Sequence, residues 1–218
     1  MIRESLLTLA FVSSLLGATA EEPAPINGQR STLFEVLTTD STSIVMLGNS
    51  LTNGCEWHEL LAMPNVLNRG ISGDTTRDID ARLGPVLRGK PAKIFLMSGV
   101  NDISHDLPAD SVAADIMALV DRIRRESPAT KLYVQSLLPI NNSFVRYKRM
   151  IGKEQVIRDV NMLVAKACDE RGVPFIDIHN LMTDVDGNLR TELTNDGLHL
   201  LGPAYIIWKQ AIIPYLKD

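Results

Sequence analysis

The stretch Val45-Met46-Leu47-Gly48-Asn49-Ser50-Leu51-Thr52 decides how the chain is arranged. It opens with a short apolar run, typical of a strand buried in a sheet, and this run stops at Gly48. Ser50 follows at once, and helix-forming sequence comes soon after. Such a strand-turn-helix order displays a hydroxyl group above the carboxyl end of a sheet. Ser50 is therefore a candidate nucleophile.

Five apolar runs alternate with helical patterns along the chain. The predicted strands are Ser43–Gly48, Asn65–Asn68, Lys93–Met97, Leu132–Leu138 and Val173–Ile178. Most are apolar throughout, as expected of parallel strands covered by helices on both faces. We therefore predict a three-layer α/β/α fold, doubly wound, with a five-stranded parallel sheet in the flavodoxin-like order 2-1-3-4-5. Ligands bind such sheets at the switch point, here between the first and third strands.

The predicted helices occupy the segments between these strands. A short helix is expected over Thr32–Leu37, and another over Cys55–Leu61. Asp74 or Thr75 is suited to cap a helix over Arg77–Leu87. Two longer amphipathic helices follow the third and fourth strands, with Gly172 ending the second of them, and a last helix is expected over 203–216.

The first twenty residues have the pattern of a signal peptide. Arg3 precedes an apolar run over Leu6–Leu16, and the small residues of Ala18-Thr19-Ala20 suit cleavage. The alternative is a buried N-terminal helix. We expect a signal peptide over 1–20, an extended lead-in over 21–30 and a single domain over 31–218, in a protein that is exported to the periplasm or secreted. The apolar run is shorter than the roughly 20 residues that a membrane span needs.

Composition excludes several classes of partner and cofactor. The chain has 218 residues and a formal net charge of -4, with no basic run that would attract nucleic acid. No membrane span or cofactor is expected. No metal is expected either, because the aspartates of Asp184-Val185-Asp186-Gly187-Asn188 predict a tight turn and not a calcium loop. Cys55 and Cys168 fit buried positions in helical patterns, and whether they pair is open. The oligomeric state is open too.

An aspartate stands three residues before a histidine in Thr194-Asn195-Asp196-Gly197-Leu198-His199. On a helical turn, side chains at this spacing share a face, so Asp196 could accept a hydrogen bond from Nδ1 of His199. The Nε2 atom would then be free to take a proton from a serine. By itself this spacing also occurs by chance on surface helices.

Three groups at strand ends could stabilise the oxyanion of an acyl-transfer intermediate. They are the backbone N–H of Ser50, the backbone N–H of Gly70 and the side-chain amide of Asn101. Each also has an ordinary interpretation, because Gly70 could simply permit a turn and Asn101 could be a loop residue.

Four blocks together resemble the SGNH, or GDSL, hydrolase superfamily of esterases and lipases. In chain order they are Gly48-Asn49-Ser50-Leu51, Gly70, Gly99-Val100-Asn101-Asp102 and Asp196-Gly197-Leu198-His199. The resemblance implies that Ser50 is the nucleophile, His199 the base and Asp196 its orienting acid, with Ser50, Gly70 and Asn101 as the oxyanion hole. Asn49 departs from the family's Gly-Asp-Ser-Leu block. With this Gly-Asn-Ser block, the chain resembles exported bacterial carbohydrate acetylesterase-like members of the superfamily.

The expected function is a serine esterase that hydrolyses short-chain acyl esters, O-acetyl groups in particular, on a small molecule or glycan. The alternatives are a lysophospholipase or thioesterase of the same superfamily, and a non-catalytic carbohydrate-binding member. A flavodoxin-like cofactor binder is disfavoured because no Gly-rich phosphate loop follows the first strand.

Other polar residues have lesser expected roles. Asp102 is expected to cap the turn or loop that follows it. Arg146, Lys148 and Arg149 could attract an anionic substrate or belong to a solvated loop. Three further histidines are expected to be surface or hydrogen-bonding residues: His58, His105 and His179.

Overall fold

The computed structural model of the chain describes residues 26–217. The predicted signal peptide, and residues 21–25 of the predicted lead-in, lie outside this range. The first described element is helix α1, Ile26–Val36. The prediction of an extended lead-in is therefore wrong for residues 26–30, which form the first turns of this helix.

The sheet confirms the predicted fold. Its five strands are parallel and lie in the order β2-β1-β3-β4-β5. They are β1 (Ile44–Gly48), β2 (Val66–Gly70), β3 (Lys93–Met97), β4 (Lys131–Gln135) and β5 (Phe175–Ile176). Every residue of β1 and β3 is buried, as is expected of the central strands of a sheet with helices on both faces.

Strands β4 and β5 end earlier than predicted because side chains take the place of backbone pairing beyond Gln135 and Ile176. Ser136 Oγ accepts the backbone N–H groups of Ile178 and His179, each at 2.9 Å. The Asn161 amide bonds both the N–H and the carbonyl of Leu137, at 2.7 and 2.9 Å. These bonds satisfy the backbone without further strand pairing, so the apolar pattern overestimates the length of both strands.

Within residues 26–217, nine more α-helices follow α1. They are α2 (Ser50–Asn53), α3 (Trp57–Leu61), α4 (Thr76–Ala81), α5 (Leu83–Arg88), α6 (Val100–Ser104), α7 (Ala109–Glu126), α8 (Glu154–Glu170), α9 (His179–Met182) and α10 (Gly202–Leu216). Among residues 26–217, none of the helices is both long and apolar enough to cross a membrane.

The single helix predicted over Arg77–Leu87 is two helices that meet at Arg82. The buried guanidinium of Arg82 donates to Asp74 Oδ2 at 2.5 Å and to the Gly48 carbonyl at 2.9 Å. Of the two predicted caps, Thr75 caps α4 in a capping box with Asp78, while Asp74 forms this ion pair. The break ties the start of α5 to the end of β1.

Two smaller predictions also have an outcome. Asp184 Oδ1 accepts the N–H groups of Asp186 and Asn188, each at 2.9 Å, which confirms the tight turn. Cys55 and Cys168 are both buried and unpaired. Burial raises the pKa of Cys55 to about 12 and that of Cys168 to about 11, so both stay protonated thiols.

Candidate active site

Ser50 is the first residue of α2 and stands directly beyond the carboxyl end of β1. The turn between them needs glycine, because a Cβ on Gly48 would lie 2.3 Å from Thr52 Oγ1 and 2.7 Å from the Met97 carbonyl. As the first residue of a helix, Ser50 has a backbone N–H without an acceptor in its own helix. The local backbone thus presents both the hydroxyl and the N–H of Ser50.

Helix α2 has only four residues, and side chains from distant segments hold it in place. Asn68 Nδ2, on β2, lies 2.9 to 3.2 Å from the carbonyl oxygens of Thr52, Asn53 and Cys55. Tyr205 Oη, on α10, donates to the Leu51 carbonyl at 2.9 Å. These bonds satisfy the carbonyls at the end of the helix.

Sequence reasoning missed both of these supports. The available signal for Asn68 was a polar residue inside a strand-forming run.

Asn49 caps the same helix. Its Oδ1 accepts the Leu51 N–H at 3.1 Å, as N-cap residues do. The side chain is fully buried, and its Nδ2 has no hydrogen-bond partner among the described residues. The departure from the family's aspartate therefore keeps the capping oxygen but adds a buried donor that is unsatisfied.

His199 connects Ser50 to Asp196. Its Nε2 lies 3.0 Å from Ser50 Oγ, and its Nδ1 lies 2.9 Å from Asp196 Oδ2. This is the geometry in which a carboxylate orients an imidazole and the other ring nitrogen accepts the serine proton. The structure thus brings together the three residues that the sequence predicts as nucleophile, base and acid.

The segment that carries Asp196 and His199 is not the helical turn that we expect from their spacing. It is a bend in which Asp196 Oδ1 accepts the N–H groups of Leu198 and His199, at 2.9 and 2.7 Å. Gly197 has a φ of +86°, which favours glycine. A side chain bonding to the backbone that follows it brings the two groups together without a helix.

Asp196 is held in its charged form. Burial on its own would raise the pKa of Asp196, but hydrogen bonds from Leu198 and His199 outweigh it and leave this pKa below its ordinary value. The carboxylate is therefore ionised at neutral pH and faces the imidazole as an anion.

Tyr147 is a fourth member of this cluster that sequence reasoning missed. Its Oη lies 3.0 Å from His199 Nδ1, and the two rings meet edge to face with centroids 5.3 Å apart. Burial, and then the charge of Asp196, raise the pKa of Tyr147. The phenol stays protonated and can donate to the Asp196 carboxylate. Tyr147 lies in an irregular loop, so no periodic pattern marks it.

The three expected oxyanion donors differ in how they are placed. Asn101, on α6, lines the same cavity as Ser50 and His199. Its Nδ2 gives one hydrogen to the Asp74 carbonyl at 2.8 Å, which leaves the second hydrogen of the amide for a ligand. Asn101 and the Ser50 N–H are therefore both available at the cavity.

Gly70 lies behind α2 and not in the lining of the cavity. Its N–H donates to Asn68 Oδ1 at 2.8 Å, so it reaches an oxyanion only by sharing or exchanging that bond. A Cβ on Gly70 would lie 2.3 Å from the Asn53 nitrogen and 2.8 Å from the Asn49 carbonyl oxygen. This close approach of β2 to α2 explains why position 70 is occupied by a glycine.

The sequence predicts that Asp102 caps the loop that follows it, and this prediction is wrong. Its buried carboxylate accepts the Thr76 N–H at 3.0 to 3.2 Å, at the start of α4. Among the three remaining histidines, His179 is buried, with its Nδ1 3.4 Å from Asn180 Oδ1, and His58 contacts Glu59 at 3.7 Å. None of His58, His105 and His179 lines the cavity.

The cavity at Ser50 has a volume of about 650 Å³. Asn101, Ser72 and Gly73 form one side of its lining, and the loop 146–150 contributes another part. Within the part of the chain that the structure covers, no cluster of three or more His, Cys, Asp or Glu residues could hold a metal ion. The site contains a hydroxyl, a base, an acid and hydrogen-bond donors, which are the groups that acyl transfer to a serine requires.

Comparison with known proteins agrees with this chemistry. The profile of the GDSL-like Lipase/Acylhydrolase family matches residues 46–205. Platelet-activating factor acetylhydrolase IB subunit alpha2 of Rattus norvegicus is 33% identical over 152 residues, which are 68% of this chain and 63% of the relative. The match thus spans less than two thirds of that relative's own length.

Solved structures share the fold. A GDSL-like lipase from Bacteroides thetaiotaomicron superposes with a TM-score of 0.77 at 21% identity, covering 88% of this chain and 97% of that chain. A mutant of an acetyl-xylooligosaccharide esterase from Geobacillus Stearmophilus superposes with a TM-score of 0.66 at 18% identity, covering 83% and 96%.

Proposed function

The chain belongs to the GDSL-like lipase/acylhydrolase family, and we propose that it is a serine esterase that removes short acyl groups, acetyl in particular, from a carbohydrate. The observation that carries this proposal is the 3.0 Å contact between Ser50 Oγ and His199 Nε2, with Asp196 on the other ring nitrogen. A serine in contact with an oriented base is an activated nucleophile.

The reaction follows from this arrangement. Ser50 Oγ attacks the ester carbonyl carbon while His199 Nε2 takes the hydroxyl proton, and Asp196 stabilises the imidazolium. The oxyanion receives hydrogen bonds from the Ser50 N–H and the Asn101 amide, with Gly70 as a third donor if its bond to Asn68 is shared. His199 then protonates the departing alcohol. A water molecule, deprotonated by His199, releases the acid from Ser50.

The preference for acetyl is supported by the rat relative, whose name describes an acetylhydrolase. The carbohydrate portion rests on the likeness of the four sequence blocks to carbohydrate acetylesterase-like proteins. Export rests on the signal-peptide pattern of residues 1–20, and we propose it on that basis.

A series of nitrophenyl esters from acetyl to long acyl chains tests the proposal, with Ser50→Ala as the blank. We expect the highest kcat/KM for acetyl and labelling of Ser50 by a fluorophosphonate. A maximum at long chains would identify a lysophospholipase-type enzyme instead. If the wild-type protein hydrolyses none of the esters, resists labelling and still binds glycans, the non-catalytic carbohydrate-binding alternative is correct.

A further inference from the structure

The cavity at Ser50 is lined by three cationic side chains. Arg146, Lys148 and Arg149 are exposed and line the same cavity as Ser50 and His199, and we call them the cationic wall. The lining contains no aspartate or glutamate. The whole chain has a formal net charge of -4, so the wall is a positively charged region on a protein that is negatively charged as a whole.

The cations of the wall form no close ion pair with a carboxylate in the part of the chain that the structure describes. Between residues 26 and 217, no ion pair involves Arg146, Lys148 or Arg149. Asp106 lies near Arg149, but its Oδ1 accepts from Lys153 Nζ at 2.6 Å. Arginines elsewhere on the surface do pair, as Arg171 does with Asp121 at 3.0 Å.

The backbone that carries the wall is anchored to the catalytic segment. Asn141 N–H donates to the Gly197 carbonyl at 2.8 Å, and Asn142 Nδ2 lies 3.2 Å from the Met150 carbonyl. Tyr147, between two of the cations in sequence, is within 3.0 Å of His199. These bonds hold the backbone that carries the wall beside the reacting centre.

We propose that the ester substrate of this site carries an anionic group, a carboxylate or a phosphate, close to the acyl ester, and that the cationic wall binds this group. The inference rests on the proposed esterase function and narrows its substrate class. Arginine recognises both carboxylate and phosphate through paired N–H donors, so the wall suits either anion. An anion held there brings the neighbouring ester to Ser50.

Acetate release from three matched esters tests the inference: an O-acetylated methyl glucoside, the corresponding methyl glucuronide and the corresponding 6-phosphate. We expect kcat/KM for at least one charged ester to exceed that of the glucoside about three- to tenfold, mainly through KM, because exposed ion pairs contribute up to about 1 kcal/mol each. The preferred ester identifies the anion. Salt should reduce the advantage, since at about 1 M the screening length is only about 3 Å.

Lys148→Gln and Arg149→Gln, singly and together, should lower the ratio of kcat/KM between the preferred charged ester and the glucoside. Both variants keep Arg146, which interacts with Tyr147, so the contact of Tyr147 with His199 is left unchanged. Arg124→Gln, an exposed arginine of α7 outside this cavity, is the matched control and should keep the wild-type ratio.

Equal kcat/KM for all three esters would overturn the inference while the esterase proposal stands. A preference for a charged ester that neither salt nor the double variant reduces would overturn it as well. Absence of hydrolysis of every ester, including nitrophenyl acetate, would instead refute the proposed function.

Discussion

Tyr147 Oη and Asp196 Oδ2 meet at the same nitrogen of His199, at 3.0 and 2.9 Å from Nδ1. The phenol therefore contacts the orienting side of the imidazole, while the reacting Nε2 faces Ser50. A protonated phenol in this place supports the carboxylate and limits rotation of the ring. Its expected role is to position His199 and Asp196, with no proton passing through it.

Tyr147→Phe keeps the edge-to-face ring contact and removes only the hydroxyl. Because a hydrogen bond to a charged group contributes about 1.5 to 3 kcal/mol, we expect kcat to fall about ten- to a hundredfold with little change in KM. Steady-state kinetics with nitrophenyl acetate measure this split. A normal kcat in the variant would show that the hydroxyl does not position the base.

Asp196→Asn replaces the acceptor on His199 Nδ1 with an amide of the same size. We expect kcat to fall about 10³- to 10⁴-fold, because the amide does not stabilise the imidazolium and can favour the wrong ring tautomer. The near-ultraviolet circular dichroism of the variant should match the wild-type spectrum. A loss below tenfold would mean that His199 works without this carboxylate.

Asn68→Ala removes one amide from three carbonyls of the α2 region and from the Gly70 N–H. We expect the free energy of unfolding to drop by about 2 to 3 kcal/mol and kcat to fall as well, because the helix that carries Ser50 loses its support. Asn65→Ala is the matched control, since Asn65 Nδ2 makes one exposed bond, to the Thr42 carbonyl. Urea unfolding and kinetics on both variants compare the two; similar losses would count against the special role of Asn68.

Gly70→Ala should damage the activity and Gly84→Ala should leave it unchanged. At Gly70 the new methyl group would lie 2.3 Å from backbone that belongs to α2, so we expect displacement of Ser50 and a large loss of activity. A Cβ on Gly84, within α5, meets nothing within 4 Å. There, we expect alanine to leave the activity unchanged and to alter the free energy of unfolding by less than about 1 kcal/mol, because the gain in helix propensity is opposed by contact of the new Cβ with the ring of Pro85. Thermal unfolding and esterase assays of the two variants measure the contrast, and full activity in Gly70→Ala would contradict the close packing.

His179 makes stability depend on pH. Burial lowers the pKa of His179 in the folded protein below the ordinary value of about 6.5. As pH falls below about 6.5, the unfolded chain binds a proton that the folded chain does not, so the free energy of unfolding decreases. Urea unfolding between pH 5 and 8 should show a weaker pH dependence in His179→Gln than in the wild-type protein. Identical slopes would exclude this histidine as a source.

The elements that could be predicted are those whose signal is local. Strand β3 begins and ends where the sequence predicts, at Lys93 and Met97, because the rest of this fully buried central strand, 94–97, is a continuous apolar run. Ser50 was recognisable because strand, glycine and serine are adjacent in sequence. His199 and Asp196 could be assigned as base and acid only together with the other sequence blocks, because an aspartate three residues before a histidine is a common spacing.

The features that could not be predicted depend on contacts between distant segments. The break at Arg82 exists because its guanidinium bonds the Gly48 carbonyl, 34 residues away in sequence. Tyr147 reaches His199 across 52 residues, and Asp102 bonds the start of a helix that precedes it by 26. Periodicity and local caps contain no information about such partners.

Among residues 26–217, strand β2 forms one edge of the sheet and pairs with β1 alone, yet its Asn68 holds in place the helix that presents Ser50. Edge strands open more readily than central ones, at a free energy below that of global unfolding. If β2 opens first, we expect the carbonyls of α2 to lose their donor and Ser50 to move away from His199 while β1 and β3 remain paired. Heat or denaturant should therefore abolish ester hydrolysis before the core unfolds. The temperature range over which the enzyme is active would then depend on the stability of edge strand β2.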